Sequence, residues 1–175
     1  MDSGSDDRTK QMEQIAESLA KVDQIITESI WEMAQGMDTY ALGISFNQSA
    51  MDFFNSAIKI TNRRGLEKKF GFSAYLSLFE ISLKGDKRVP VDQFTFLILR
   101  FAPDIYNGSE QMFLDMHIPD GKVKSGNGFN IVQSQEFKNL WKILNKVEKD
   151  EIKEHITSLT TYSHAYFVRL LLESS

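Results

Sequence analysis

The sequence predicts an α+β fold: N-terminal helices, a three- to four-stranded antiparallel meander sheet, and two C-terminal helices. Three observations carry that expectation. Apolar residues recur every seven positions near the start of the chain, as on one stripe of a helix. The middle holds aromatic and aliphatic runs of strand length, parted by short polar loops. From residue 137 onward the apolar spacing returns to three and four. A chain of 175 residues, 42% hydrophobic and 25% charged, fits one domain with a substantial core.

Residues 1–8 are small and acidic, without a periodic apolar position, and are expected to form a disordered tail ahead of a single domain over residues 9–175. From Thr9 a helix of about 25 residues is expected. Met12, Leu19, Ile26 and Met33 form one row of its seam and Ile15 and Val22 a second, until Ser29 and Gly36 interrupt it. Glu13, Glu17, Lys21, Asp23, Gln24 and Glu28 make the outer face, and Gly36 and Asp38 should end the helix. A second helix spans residues 47–59, and Asn62-Arg63-Arg64-Gly65 reads as its stop, because glycine tolerates the positive φ of a C-cap.

Residues 72–83 read as the first strand. Their apolar phase slips by one at Leu78–Phe79, which suggests a bulge or a strand covered on both faces. Lys84-Gly85-Asp86-Lys87-Arg88 is a polar turn, and residues 93–101 make the second strand after Pro90. Pro103 and Asn107-Gly108 mark a loop, residues 111–118 a third strand, Pro119-Asp120-Gly121 a turn, and residues 122–132 a weak fourth strand. Ser134 is a plausible N-cap for a helix carrying Phe137, Leu140, Trp141, Leu144 and Val147. The last helix, capped near Asp150, aligns Ile152, Ile156, Leu159, Ser163, Phe167 and Leu170.

Composition excludes several functions. With no cysteine there are no disulfides, thiolate metal sites or cysteine nucleophiles, and a cytoplasmic location is the expectation. No basic segment leads into an apolar one at the start, and no apolar run reaches the roughly 20 residues of a membrane span, so membrane insertion is not expected. Charge is uneven. Residues 1–52 carry 3 basic and 10 acidic side chains, whereas residues 53–88 carry 8 basic and 3 acidic. Attraction between these two segments is the favoured explanation, and an anionic partner the other.

The polar residues do not assemble into a catalytic or metal pattern. Asp115 and His117 would share a strand face but lack a third ligand, and Glu151 and His155 have the spacing of a surface ion pair. His164, between Tyr162 and Tyr166, reads as a packed or interface histidine. No nucleophile elbow is present, and Gly126-Asn127-Gly128, with Lys122 and Lys124 before it, lacks the Gly-Lys-Ser/Thr ending of a phosphate loop. No catalytic, metal or cofactor-binding residue is therefore nominated, and no cofactor is expected.

The apolar helix faces remain. They point to a non-enzymatic protein-interaction module (adaptor, chaperone-like or regulatory), acting on a protein partner or by self-association as a homodimer. Leu19, Ile26, Met33, Tyr166, Phe167 and Leu170 are the candidate contacts. The alternative is a nucleic-acid-associated regulator using the basic segment 59–88, with Arg63, Arg64, Lys68 and Lys69 as contacts, interleaved with Phe70 and Phe72. A third reading is an enzyme whose site comes from residues distant in sequence.

Overall fold

A computed structural model describes residues 3–111 and 135–174, and every regular element among them is helical. Helix α1 (Ser3–Leu19) begins six residues before the expected Thr9, and α2 is Gln24–Gly36. The expected long N-terminal helix is thus two, broken at residues 20–23. The Asp23 carboxylate causes the restart by accepting from Ile25 N at 2.9 Å, so it caps α2. Asp38 does the same for α3 (Thr39–Arg63), accepting from Ala41 N at 2.8 Å; it opens a helix rather than ending one.

Helix α3 stops where the sequence says. Gly65 has φ +69°, its N–H bonds Asn62 O, and Leu66 N–H bonds Thr61 O, which together satisfy the last carbonyls in a Schellman motif. The short α4 (Glu67–Phe70) ends at Gly71, again at positive φ.

The expected sheet is overturned. Residues 72–83, expected as a strand, form α5 (Phe72–Ser82). Residues 93–101 fall in α6 (Val89–Ile98) and a 3-10 turn, Leu99–Phe101. The phase slip at Leu78–Phe79 was a helical period. Phe72 and Phe79 are buried, with Tyr75, Leu76 and Leu83 packed on the core between and after them, whereas Leu78 and Ile81 face solvent. In α6, Val91, Phe94, Thr95 and Ile98 are all buried at spacings of three and one, and Pro90 sits in the first turn, where its missing N–H costs nothing. Pro103 likewise starts α7 (Ala102–Tyr106), and Asn107-Gly108 ends it, Gly108 at φ +71°. The expected strand positions 112–132 and the Ser134 cap lie outside the described residues.

Helix α8 (Gln135–Ile143) buries Phe137, Leu140 and Trp141, with Leu144 just beyond its end, while Val147 is exposed. Helix α9 (Lys146–Ser174) is the longest, at 29 residues. Its cap is Asn145 rather than Asp150: Asn145 Oδ1 accepts from Glu148 N at 2.9 Å, and Glu148 Oε1 accepts from Asn145 N at 3.0 Å, a capping box.

Helices α3 and α9 pack antiparallel at the centre of the molecule. Arg64 meets Glu148, Ser56 donates to Glu151 at 2.8 Å, and the rings of Phe53 and His155 lie edge to face. Phe46, Phe53, Phe54, Phe79 and Phe94 fill the core around this pair, each full burial stabilising by about 1.5–3 kcal/mol. Between α6 and α9 the Thr95 Oγ1 and Ser163 Oγ hydroxyls bond at 2.8 Å, fully buried, and Tyr166 Oη donates to Asp92 at 2.8 Å nearer the surface.

A smaller cluster sits apart. Ile15 and Val22 pack with Leu99, Ala102 and Phe167, with Met12, Leu19 and Ile26 around them. The N-terminal seam therefore buries against the 3-10 turn, α7 and α9. Arg8 fastens the far end of α1, bonding Asp92 Oδ1 at 3.1 Å with its guanidinium 4.0 Å from the Phe96 ring centre. The described helices include none long and apolar enough to cross a membrane.

Candidate functional site

Two concavities flank α9. The first is a groove of about 210 Å³ between α1, α2 and α9. Ala16, Leu19 and Ala20 line one wall, Thr27 and Trp31 the second, and His164, Phe167, Val168 and Leu171 the third. Its mouth is apolar: Trp31 is 40% exposed and Leu171 38%. The two alanines keep the α1 side low, so the indole stands proud of it.

His164 is its single titratable lining group. The imidazole is buried, with Nδ1 3.2 Å from Tyr106 Oη. Burial pushes its pKa down to about 4, so the ring is neutral at pH 7, and burial pushes Tyr106 up to about 12. Neither group is poised for proton transfer near neutrality.

The second concavity, about 520 Å³, lies between the start of α3, the 86–93 segment and the end of α9. It is large enough for a small molecule, since such sites usually span about 300–1,000 Å³. Its charges, however, are satisfied internally. Asp86 takes Arg88 in two bonds of 3.0 and 2.9 Å, which hold its pKa down to about 2. Asp92 accepts from Tyr166 Oη at 2.8 Å and from Arg8, and Glu173 accepts from Arg169 at 2.9 Å. With every carboxylate already bonded, no acid or base converges on the space.

The six apolar candidates from the sequence separate. Leu19 and Phe167 meet at the groove, although Phe167 is its floor rather than an exposed contact. Tyr166 and Leu170 line the second concavity. Ile26 and Met33 are half-buried and pack on the core. Trp31, Val168 and Leu171 were missed, because Trp31 lies off the seven-residue row. The signal was available: a lone tryptophan on an otherwise polar helix face is a feature in itself.

Arg63, Arg64, Lys68 and Lys69 are all exposed around the end of α3 and α4. Arg64 is bonded through both Nε and Nη2 to Glu148, Arg63 lies 3.9 Å from the same carboxylate, and the Lys69 ammonium is 5.6 Å from the Phe70 ring centre. Phe70 and Phe72, the expected stacking aromatics, are buried and stacked on each other. Glu151 and His155 do not form a pair site: one accepts from Ser56 and the other packs on Phe53. Among the described residues, no group of three His, Asp or Glu side chains could hold a metal ion. Asp115 and His117 lie outside them.

An uncharacterized protein of Acanthamoeba polyphaga mimivirus is 40% identical over 171 residues, covering 98% of this chain and 95% of that protein. The chain belongs to that protein's family. The match spans nearly the whole of both proteins rather than one segment. No family model matches the chain, and no solved structure does.

Proposed function

We propose that the protein is a non-enzymatic interaction module that seats a bulky apolar side chain of a protein partner in the groove between α1, α2 and α9. The observation that carries this reading is Trp31, a large aromatic left 40% exposed over a small apolar cavity. Tryptophan at the mouth of a pocket is the residue type that dominates binding energy at interfaces. The groove volume of about 210 Å³ falls below the range of small-molecule sites and suits one or two side chains. In this reading the protein works in the cytosol, in keeping with its lack of cysteine.

The test is capture of partners from the native source by the full chain, with nuclease present throughout. A partner should be retained by the wild type and lost with Trp31→Ala and Leu171→Asp, both surface changes. Trp31 emission should also shift to the blue on binding, while Trp141, at 1% exposure, stays constant. Capture that is indifferent to both substitutions, or that nuclease abolishes, would sink the proposal.

A further inference from the structure

The charges around the groove name the kind of partner. Glu13 stands one turn before Ala16 on α1, Glu17 one turn before Ala20 just past its end, and Asp23 one turn before Thr27. On α2, Glu28 is one turn before Trp31 and Glu32 is next to it. All five are exposed, with Lys21 the single basic side chain among residues 13–32. Among the described residues, no ion pair within 4.0 Å holds Glu13, Glu17, Glu28 or Glu32, and Glu28 accepts only the neutral Gln24 amide, at 3.0 Å. That distinguishes this rim from the second concavity, whose Asp86, Asp92 and Glu173 each sit in an ion pair.

We infer that the partner is a basic amphipathic helix, its apolar face on Leu19, Trp31 and Leu171 and its lysines and arginines over Glu13, Glu17, Glu28 and Glu32. The inference rests on the interaction reading above and adds the chemistry of the ligand. A helix is the form that matches, because three helices wall the groove and no strand edge among the described residues offers backbone pairing. A second copy of the chain fits poorly. Two-fold pairing on this face would bring the same carboxylates together, repelling where a basic partner is attracted.

The experiment uses the full chain and three synthetic helical peptides. They share one apolar face and differ only in carrying lysine, glutamine or glutamate elsewhere. The lysine peptide should bind most tightly and weaken severalfold as salt rises from about 50 mM to about 300 mM. Glu17→Lys and Glu28→Lys together should weaken it about three- to tenfold, leaving the helical circular dichroism unchanged. Equal affinity for all three peptides, salt-insensitive binding, or no binding by any of them would overturn the inference. Such a result is separable from failure of the interaction reading. If native capture is still lost with Trp31→Ala, the groove stands and only the partner's chemistry is wrong; if capture survives that substitution, the groove itself is wrong.

Discussion

At Glu148 one carboxylate serves the start of α9 and the end of α3. Its Oε1 completes the capping box with Asn145, and both oxygens take the Arg64 guanidinium, in a side chain that is 9% exposed. The Arg64 hydrogen bonds, with Asn145 N–H and the nearby Arg63 adding to them, hold the carboxyl below its ordinary pKa. A group depressed in this way stabilises the fold above its unfolded pKa of about 4.3 and loses that contribution as pH falls through the lower folded value. Replacing Glu148 by alanine removes half of the capping box and returns the Arg64 guanidinium, which is exposed, to water. The expected loss is about 1–2 kcal/mol in urea unfolding at pH 7, with Glu148→Gln, which can still cap, losing less. A loss under about 0.5 kcal/mol would mean that the pair contributes little.

Among the elements, α3 shows how close approach decides the sign of a substitution. Gly43 is helical, so alanine there would ordinarily gain about 1 kcal/mol. A Cβ at this position would lie 3.1 Å from Lys87 O and 3.3 Å from Arg88 Cα, both backbone atoms of the connector between α5 and α6. The connector is pinned, since Asn47 Nδ2 donates to Lys87 O at 2.9 Å and Asp86 accepts from Arg88 N. Gly43→Ala is therefore expected to cost about 1–3 kcal/mol, read as a lower urea midpoint at unchanged slope. A raised midpoint would show that the connector yields.

The same scale explains what was legible in the sequence. Helices whose outer face is polar showed their period directly. The 12–33 seam is helical apart from its break at residues 20–23. The 137–147 stripe is helical up to Ile143, with Val147 exposed in the next helix, and the 152–170 spacing lies within one helix. The stop at Gly65 showed directly too. Helices α5 and α6 did not, because apolar residues surround them. In α5 the polar positions Ser73, Ser77 and Glu80 do recur at helical spacing, but the exposed Leu78 and Ile81 beside them read as core and masked that period; α6 is enclosed by α1, α3 and α9. Aromatic and β-branched content then argued for strand, and tertiary packing overrode it. Of the nine residues lining the groove, Leu19 and Phe167 were among the candidates named from sequence. The sequence marks Trp31 only as a lone tryptophan, and its pairing with Leu171 was not legible, because that depends on the fold of α9 back across α2.

On the scale of the whole molecule, charge is distributed differently from the expected attraction between the acidic start and the basic middle. Arg8, from the acidic segment, bonds Asp92, and Arg63 and Arg64, from the basic one, turn to Glu148 in α9. Acid stability has its own source in His164, common to the groove and to the contact with α7. Its folded pKa of about 4 lies below the ordinary 6.5, so the unfolded chain binds the extra proton first. Stability should fall as pH drops from about 6.5 toward 4, by about 3 kcal/mol for this group, and the contribution is constant below that. Comparing urea midpoints at pH 7 and pH 4.5 tests it: the drop should shrink with His164→Gln, and an equal drop in both proteins would remove His164 as the cause. The Glu148 contribution is lost only at lower pH, so the two windows separate.

The antiparallel pairing of α3 with α9 also orders events in time. Arg64 and Glu148 are 84 positions apart, and ribosomes add about 5–20 residues per second. For roughly 4–17 seconds after the end of α3 is made, the start of α9 that covers it does not yet exist. Phe46 and Phe54 find Phe94 and Phe79 sooner, so the strip of α3 around Phe53, which meets His155, waits longest for its cover.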